Sequence, residues 1–499
     1  MKSALTLLLC LLAILAEQGA FAQSDELTLK SQHAKDLMAE GKFADAIPLY
    51  VELNQAVPNN PGLMLNLGMA LHMAGQEQKA VAQLEAAAKL DPKLTPAWLF
   101  LGAARLQMHK APAAVEALKT ALQLQPDNLG ALEMLAGALL SLDRSTEAAA
   151  EYNKLAVLDP ESSKAWNGLG QSYESLSARA FDRLQKTAPL SAYLLALLAD
   201  ARLREQQLSS AYYLYRQALQ KMPEMRGLHE SVALIYRQTA HPEWADTEAQ
   251  KEGQLPQPDC RSPSLECDFR AGRYTAVVAS TAGASTAEAY YWRARAYNEL
   301  ALQAFGRLGQ LPPSAEQHEL KARIYSGQKR YSEAAGEWRA ALKLAPGDPQ
   351  AEKQLGISLK FSQDYGGALP LFQDLLRRQP ESAELNFLTG DTLLDLQRAE
   401  EAIPLLRRAI LHDPKMIAAH KSLARAYLAT GKSAEAVPHL KLALPADADG
   451  SLHYQLAKAY QETGRAALSK SMLEEYQKIQ AAAKAAKDAS QKEIEVTAP

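Results

Sequence analysis

The sequence predicts an all-α protein in which pairs of helices repeat along the chain as a solenoid. Two observations predict this fold: prolines recur at intervals of 34 residues, and small residues recur at fixed places between them. The sequence also lacks any motif that requires a separate catalytic domain, which leaves the repeats as the main architecture. Hydrophobic residues make up 47% of the 499-residue chain, which argues against wholesale disorder.

The periodic prolines predict boundaries between helices. The set comprises Pro58, Pro92, Pro126, Pro160, Pro346, Pro380 and Pro414. Proline lacks the N–H that a helix interior needs, and its ring collides with the preceding turn, so Pro92 is expected to end a helix. Pro96 can begin the next one, with Thr95 as its cap, because a proline in the first turn leaves no donor unsatisfied.

Two kinds of apolar position recur between successive prolines. A small residue stands in the first helix of each pair, and an alanine followed four residues later by a larger apolar residue stands in the second. The small residues are Gly68, Gly102, Ala136, Gly170, Gly356, Gly390 and Ala424. The alanines are Ala46, Ala80, Ala114, Ala148, Ala334, Ala368, Ala402 and Ala436. Spacings of three and four place these residues on one helical face, where paired helices can bury them.

These residues resemble the tetratricopeptide repeat family, whose 34-residue signature runs W-x2-L-G-x2-Y, then A-x3-F, then P. Trp166, Leu169, Gly170 and Tyr173 match its first part in full. The resemblance implies a right-handed superhelix, a right-handed α-solenoid of about a dozen helix-turn-helix repeats. It also implies that ligands bind on the concave face, which is lined by positions 2, 5, 9 and 12 of each first helix.

The proline phase divides the chain into regular and irregular parts. Regular repeats occupy 27–60, 61–94, 95–128 and 129–162, and later 315–348, 349–382, 383–416, 417–449 and 450 onward. After a signal peptide at 1–22, we therefore predict an N-terminal repeat array at 23–191 and irregular middle repeats with a cysteine loop at 192–314. A C-terminal array with a capping helix follows at 315–484, and a flexible tail at 485–499.

Two shortened repeats, of 29 and 28 residues, are predicted to begin at Ser163 and Ala287. They resemble each other at an offset of 124 residues, so that Phe181, for example, recurs as Phe305. A larger duplication accounts for this likeness, and so does convergence of two degenerate repeats.

The first 22 residues have the pattern of a secretory signal peptide. Lys2 supplies a positive charge, Ala4 to Ala16 form an apolar core too short to span a bilayer, and Ala20 to Ala22 provide a small-x-small cleavage site. Cleavage would begin the mature chain at Gln23; a retained membrane anchor is the alternative. We expect an exported protein, periplasmic or extracellular, with no membrane span after cleavage.

Cleavage would remove Cys10 and leave two cysteines, Cys260 and Cys267. An oxidising compartment favours a disulfide between them, which would stabilise the loop by about 2.5 kcal/mol. Two separate thiols are the alternative. A metal site is disfavoured because two cysteines at this spacing lack the usual second pair of ligands.

Composition and motifs argue against several other functions. A net charge of −3 gives no reason to expect nucleic acid as a partner. The sequence contains no zinc-binding H-E-x-x-H, no phosphate-binding loop and no nucleophile elbow. His72, His420 and His439 are expected to be groove or surface residues rather than metal ligands. We therefore expect no enzymatic activity, no cofactor, no metal and no small-molecule substrate.

The residues at the concave positions predict a groove with two different ends. Leu65, Met69, Leu99, Leu106 and Leu140 form an apolar end. The basic end contains Arg323, Lys353, Lys360, Lys421, Arg425 and Lys458, with Phe387 and Tyr454 among them and Glu319 and Asp391 as acidic exceptions. Such a groove suits an extended or helical peptide with an aliphatic and an acidic segment. The alternatives are leucines that pack against neighbouring helices and cations on a solvated face.

The sequence thus predicts an exported protein-interaction scaffold whose partner is a protein or a peptide. Analogy with similar exported solenoids adds a role in cell-envelope assembly or polysaccharide export. Two other classes compete with this prediction: a holdase chaperone that uses the apolar groove, and an envelope hydrolase with a cluster of acidic residues in the groove.

Overall fold

The computed structural model describes residues 26–262, 264–493 and 496–499. These residues form α-helices and one short 3₁₀-helix, Leu444–Ala446, and contain no strand. The first helices along the chain are α1 (26–39), α2 (Phe43–Ala56), α3 (Pro61–Met73), α4 (Glu77–Leu90), α5 (Thr95–Gln107), α6 (Ala111–Leu124), α7 (Leu129–Ser141), α8 (Ser145–Leu158) and α9 (Ser163–Thr187).

The middle of the chain contains seven helices, several of them short. They are α10 (Ala192–Arg204), α11 (Leu208–Lys221), α12 (Leu228–Gln238), α13 (Pro242–Gln254), α14 (Leu265–Arg270), α15 (Tyr274–Thr281) and α16 (Ala287–Gly309). Regular pairs then resume with α17 (Ala315–Gly327), α18 (Tyr331–Leu344), α19 (Pro349–Phe361), α20 (Tyr365–Arg378), α21 (Ala383–Asp395), α22 (Ala399–His412), α23 (Ile417–Ala429), α24 (Ser433–Ala443), α25 (Ser451–Glu462) and α26 (Ala466–Glu493).

The helices belong to two compact units. Among the described residues, unit 1 contains those up to Ala180, together with Tyr274–Val278 and Arg293–Gln310. Unit 2 contains the described residues of Phe181–Arg273, Ala279–Trp292 and Leu311–Pro499. This division does not coincide with the predicted boundary at residue 192, because part of α16 packs into the core of unit 1.

Each helix pair closes where a small residue of the first helix meets a large apolar residue of the second. A Cβ atom at Gly102 would lie 2.6 Å from Leu118, and one at Gly356 would lie 2.6 Å from Phe372. No longer side chain fits at such a crossing without displacing its neighbour. The recurring alanines of the second helices have no exposed surface: Ala46, Ala80, Ala114, Ala148, Ala334, Ala368, Ala402 and Ala436. The predicted all-α repeat fold is confirmed.

The periodic prolines also anchor the helix that follows them. In four repeats, a side-chain nitrogen at the fourth position of the first helix lies within hydrogen-bond distance of the carbonyl oxygen of the proline six residues earlier. The pairs are Trp98 with Pro92 (3.0 Å), Trp166 with Pro160 (2.9 Å), Asn386 with Pro380 (2.9 Å) and His420 with Pro414 (3.1 Å). The predicted cap at Thr95 is wrong: Thr95 is the first residue of α5, and the residue before it is the N-cap.

The turn within each regular pair contains one residue in the left-handed region of φ. Glycine takes this place in some repeats, as in Gly75 (φ 73°) and Gly431 (φ 71°). Other side chains take it elsewhere, although the left-handed region costs a non-glycine residue roughly 1–2 kcal/mol. These residues are His109, Asp143, Gln206, Lys329, Gln363 and Gln397.

The two shortened repeats predicted at Ser163 and Ala287 need a correction, because neither is a helix pair. Each is one continuous helix: α9 has 25 residues and α16 has 23. The position of the left-handed turn residue is occupied by Ser177 in α9 and by Ala301 in α16, and both stay helical.

Within unit 1, residues of α16 act as the missing second helix for the first part of α9. The buried core there combines residues of both helices with those of α7 and α8. The contacts are Gly170 against the ring of Phe305, Tyr173 stacked on Tyr297 with ring centroids 6.0 Å apart, and Ser177 Oγ donating to the carbonyl oxygen of Ala294 at 2.9 Å. The core of unit 1 is therefore completed by a segment that is distant in sequence.

An arginine and a disulfide hold the irregular segment between α13 and α14. The guanidinium of Arg226 lies 3.0 Å from a carboxylate oxygen of Glu266 and 3.2 Å from the carbonyl oxygen of Leu255. Cys260 and Cys267 are bonded to each other, with their Cα atoms 5.6 Å apart. This segment therefore depends on specific cross-links instead of repeat packing.

Among the described residues, no helix is both long enough and apolar enough to cross a bilayer. The predicted signal peptide at 1–22 lies outside the described residues. The last helix, α26, extends to Glu493, beyond the predicted end of the array at residue 484. The mobility predicted for 485–499 stays a prediction.

Candidate peptide-binding face

Residues at similar positions of neighbouring first helices lie side by side in the C-terminal array. The Nζ atom of Lys353 in α19 lies 2.8 Å from a carboxylate oxygen of Glu384 in α21. Nη2 of Arg425 in α23 lies 3.2 Å from Oδ1 of Asp391 in α21. These contacts join residues 31 and 34 positions apart, which is about one repeat. We call the surface formed by positions 2, 5, 9 and 12 of the first helices α19, α21, α23 and α25 the first-helix face.

Two of the predicted basic residues belong to an ion-pair network on this face. Lys360 Nζ lies 2.8 Å from carboxylate oxygens of both Asp391 and Asp395. Arg425 lies 3.0 Å from Asp395, and Ser422 Oγ donates to Asp391 at 2.6 Å. Burial alone would lower the pKa of Lys360, but its hydrogen bonds to Asp391 and Asp395 raise that pKa above the usual lysine value. The cation of Lys360 is therefore already neutralised within the chain.

The exposed cations of the first-helix face are found on α23 and α25. Lys421 is exposed and has no carboxylate within ion-pair distance among the described residues. Arg425 keeps 49% of its side chain exposed despite its ion pairs, and Tyr454 is 52% exposed. Lys458 lies 3.9 Å from Glu462, and an exposed pair at that distance contributes little. We call Lys421, Arg425, Tyr454 and Lys458 the α23–α25 patch.

The other predicted contact residues are buried to differing degrees. Phe387 is half-buried against the cluster that contains Leu369 and Leu393. Arg323 lies half-buried on α17. Leu65 is only 8% exposed and belongs to the core of unit 1. The remaining apolar residues are partly buried against the same unit's core: Met69, Leu99, Leu106 and Leu140. The apolar end of the predicted groove is therefore largely packing surface.

A histidine pair lies on the other side of α23, between α23 and α24. His420 is buried, and its Nδ1 lies 2.8 Å from Nδ1 of His439. Because Nε2 of His420 donates to the carbonyl of Pro414, its Nδ1 must accept the hydrogen bond from His439. Burial and the neighbouring His420 lower the pKa of His439. An apolar cleft of about 400 Å³ opens beside the pair, lined by Arg407, Ile410, Leu411, Pro414, Leu423, Tyr427 and His439.

A buried charge cluster in the middle repeats gave no signal in the sequence. Glu248 has no exposed surface, and it is bonded to His229 and lies 2.7 Å from Lys251 and 3.8 Å from Arg216. Burial alone would raise the pKa of Glu248, but the bonds from Lys251 and His229 lower it below the usual value. Its partners come from three helices, so no spacing motif reveals them. Among the described residues, no group of three His, Cys, Asp or Glu side chains is placed to hold a metal ion.

Comparison with known families matches the two regular arrays. Two models described as tetratricopeptide repeat match this chain. The matched residues are 37–104, 101–163, 353–416 and 393–459. They cover most of the helix pairs on both sides of the irregular middle.

Curated relatives match shorter parts of the chain. A heat-shock protein cognate co-chaperone of Aspergillus fumigatus is 33% identical over 103 residues, which is 21% of this chain and 29% of the relative. A peroxisomal targeting signal receptor of Komagataella phaffii is 37% identical over 110 residues, which is 21% of this chain and 19% of the relative. The chain thus matches less than a third of the length of either relative. Neither name is that of an enzyme.

Solved structures of similar repeats are also found. A tetratricopeptide repeat protein of Parabacteroides merdae covers 67% of this chain and 98% of its own length, with 14% identity and a TM-score of 0.33. MamA of Desulfovibrio magneticus covers 34% of this chain and 96% of its own length, with 18% identity and a TM-score of 0.32. The family matches, together with the helix crossings that close each pair, identify both regular arrays of this chain as tetratricopeptide repeats.

Proposed function

We propose that this protein is an exported interaction scaffold that binds an extended, acidic peptide segment of a partner protein on the α23–α25 patch. One observation carries the proposal: Lys421, Arg425, Tyr454 and Lys458 stay exposed at recurring positions of two consecutive first helices. The neighbouring cations Lys353 and Lys360 are paired with carboxylates and keep only 20% and 15% of their side chains exposed, whereas Arg425 keeps 49% exposed despite its own ion pairs. Binding charge is therefore concentrated at one end of the first-helix face.

The patch has the chemistry of a site for carboxylates in an extended chain. Lys421 and Arg425 lie four residues apart on one helix, and Tyr454 and Lys458 have the same spacing on the next. This spacing puts each pair on one helical face. Cations arranged in two rows attract an acidic segment, and the exposed ring of Tyr454 adds apolar contact area. Because the patch is solvent-exposed, we expect its affinity to fall as salt concentration rises.

This proposal restricts the binding site that the sequence predicts to the basic end of the groove. An aliphatic segment of the partner has little to contact, because Leu65 and Met69 contribute to the core of unit 1. A holdase role for that apolar surface receives no support for the same reason. An acidic partner segment alone matches the exposed residues.

Export and a role in the cell envelope are part of the proposal. The pattern of residues 1–22 and the bond between Cys260 and Cys267 support export, since disulfides persist in oxidising compartments. The full chain, expressed in a Gram-negative bacterium, should be released by osmotic shock, with Gln23 as its first residue and no reactive thiol after denaturation. Retention in the cytosol with free thiols would contradict export.

The binding proposal is tested with a fluorescein-labelled decapeptide of alternating glutamate and serine. Lys421→Glu combined with Lys458→Glu should weaken its binding to the full chain at least tenfold in fluorescence anisotropy. The matched control is Lys441→Glu with Lys470→Glu, which makes the same change of charge at exposed lysines of second helices. Equal losses of peptide binding in both variants would show attraction by net charge alone and would overturn the proposal that the patch is the binding site. Undiminished binding in the Lys421 and Lys458 variant would also overturn it.

A further inference from the structure

Thr497, within the described segment 496–499 (Val-Thr-Ala-Pro), is hydrogen-bonded to α11 and α12 within unit 2. The hydroxyl groups of Tyr212 and Tyr236 donate to the carbonyl oxygen of Thr497 at 2.9 and 2.7 Å. The Oγ1 atom of Thr497 lies 3.0 Å from the hydroxyl of Tyr212. These contacts join residues 285 and 261 positions apart, so they do not follow from local chain geometry.

Both polar groups of Thr497, its carbonyl oxygen and its side-chain hydroxyl, find partners in the two tyrosines. A carbonyl oxygen has two lone pairs, and the two phenol hydrogens of Tyr212 and Tyr236 occupy both. The hydroxyl oxygen of Tyr212 can then accept the hydrogen of Thr497 Oγ1. A main-chain carbonyl and a small hydroxyl side chain are thus recognised together.

The two tyrosines are held rigidly in place. Both rings are buried, and their centroids lie 5.6 Å apart. Tyr236 also meets Trp244 edge to face at 5.5 Å, and Trp244 stacks on His241 at 3.9 Å. Burial, more than the nearby hydroxyl of Tyr212, raises the pKa of Tyr236, so the Tyr236 hydroxyl keeps its proton and stays a donor. Fixed donors avoid the entropy loss that flexible side chains incur on binding.

We propose that the Tyr212–Tyr236 pair is a docking site for an extended peptide segment and that residues 496–499 of the same chain occupy it. The occupied site ties the segment that follows α26 to α11 and α12 of the same unit. It is separate from the α23–α25 patch and does not depend on the function proposed for that patch. A partner segment that presents the carbonyl and hydroxyl groups of a small hydroxyl residue has the same chemistry and would compete with residues 496–499.

The test uses the full chain with the photo-crosslinking residue p-benzoylphenylalanine in place of the exposed Ala498. After irradiation, mass spectrometry should find residue 498 linked to a peptide of α11 or α12, in a product that migrates as a single chain. The same photo-crosslinker at Ala418, which is also exposed, should give no link to α11 or α12. A missing link, or one that joins two chains, would overturn the proposal.

Two further variants test the role of the hydroxyl groups. Tyr212→Phe combined with Tyr236→Phe keeps both rings and should lower the yield of the link at least tenfold. Tyr215→Phe is the control, because its hydroxyl is bonded to Asp200 and not to the segment, and it should leave the yield unchanged. Thr497→Val, at an exposed residue, should lower the yield about twofold by removing one hydrogen bond. An unchanged yield in the double variant or in Thr497→Val would contradict the proposal.

Discussion

The two regular arrays share one interior and differ on their first helices. The fifth and ninth positions carry Leu65 and Met69 in unit 1, where Leu65 lies in the core and Met69 packs against it. The same positions carry Lys421 and Arg425 in α23, where both are exposed. The crossings that close the helix pairs are alike in both arrays. The comparison teaches that the repeat dictates the buried crossing and leaves the first-helix positions free to differ in burial and charge.

The largest expected effect tests the shared interior. Ala114→Leu in unit 1 and Ala402→Leu in unit 2 should each lower the free energy of unfolding by about 1–3 kcal/mol, because neither alanine has any exposed surface. Ala418→Leu is the control at an exposed site and should change it by less than about 0.5 kcal/mol. Urea unfolding measures all three. A loss confined to one array would break the comparison.

The next largest effect distinguishes the charged first helices of the C-terminal array from the apolar ones of unit 1. Asp391→Asn should lower the free energy of unfolding by about 1–2 kcal/mol, because it removes a charge that balances Lys360 and Arg425. This loss should be smaller at high salt. Met69→Ala should also destabilise, through lost packing, with little dependence on salt. Urea unfolding at low and high sodium chloride measures both, and equal salt dependence would contradict the distinction.

A third prediction concerns pH and the C-terminal array alone. The folded protein lowers the pKa of His439 below the usual 6.5, so the unfolded chain binds its proton more readily. The contribution of His439 to stability is therefore complete above pH 6.5 and is lost as pH falls through the lowered pKa of the folded state. His439→Phe should reduce the loss of stability between pH 7 and pH 5 in thermal unfolding. An identical pH profile in the variant would refute this assignment.

The smallest effect lies in the turns, where the arrays should respond alike. His109→Gly and Gln363→Gly should each raise the free energy of unfolding by about 0.5 kcal/mol, because both residues have positive φ. Gly75→Ala and Gly431→Ala should lower it by about 1 kcal/mol for the same reason. Unfolding by urea with replicate titrations resolves these changes. Opposite signs would show that turn strain is relieved elsewhere.

The repeats could be predicted from the sequence because their determinants are local. The small residue, the alanine and the proline of each unit recur within one repeat, as with Gly102, Ala114 and Pro126. The long helices could not be predicted in this way. Ser177 and Ala301 stay helical where Lys329 and Gln363 turn, so residue type alone does not decide the turn.

The candidate site could be predicted only in part, because its state depends on contacts between repeats. The sequence places Lys360 and Arg425 on the first helices but does not reveal that Asp391 and Asp395 pair with both. The docking of Thr497 on two distant tyrosines has no local signature at all. Periodicity thus predicts which face a residue occupies, and long-range packing decides which residues remain available.

The contact between α9 and α16 in unit 1 has a consequence for biosynthesis. The hydroxyl of Ser177 can reach its acceptor, the carbonyl oxygen of Ala294, only after 117 further residues have been synthesised. At translation rates of about 5–20 residues per second, this delay lasts roughly 6–23 seconds. During that interval the glycine-lined side of α9 lacks the aromatic ring that covers it in the native state. The growing chain therefore passes through a stage in which a hydrophobic surface of α9 has no native cover.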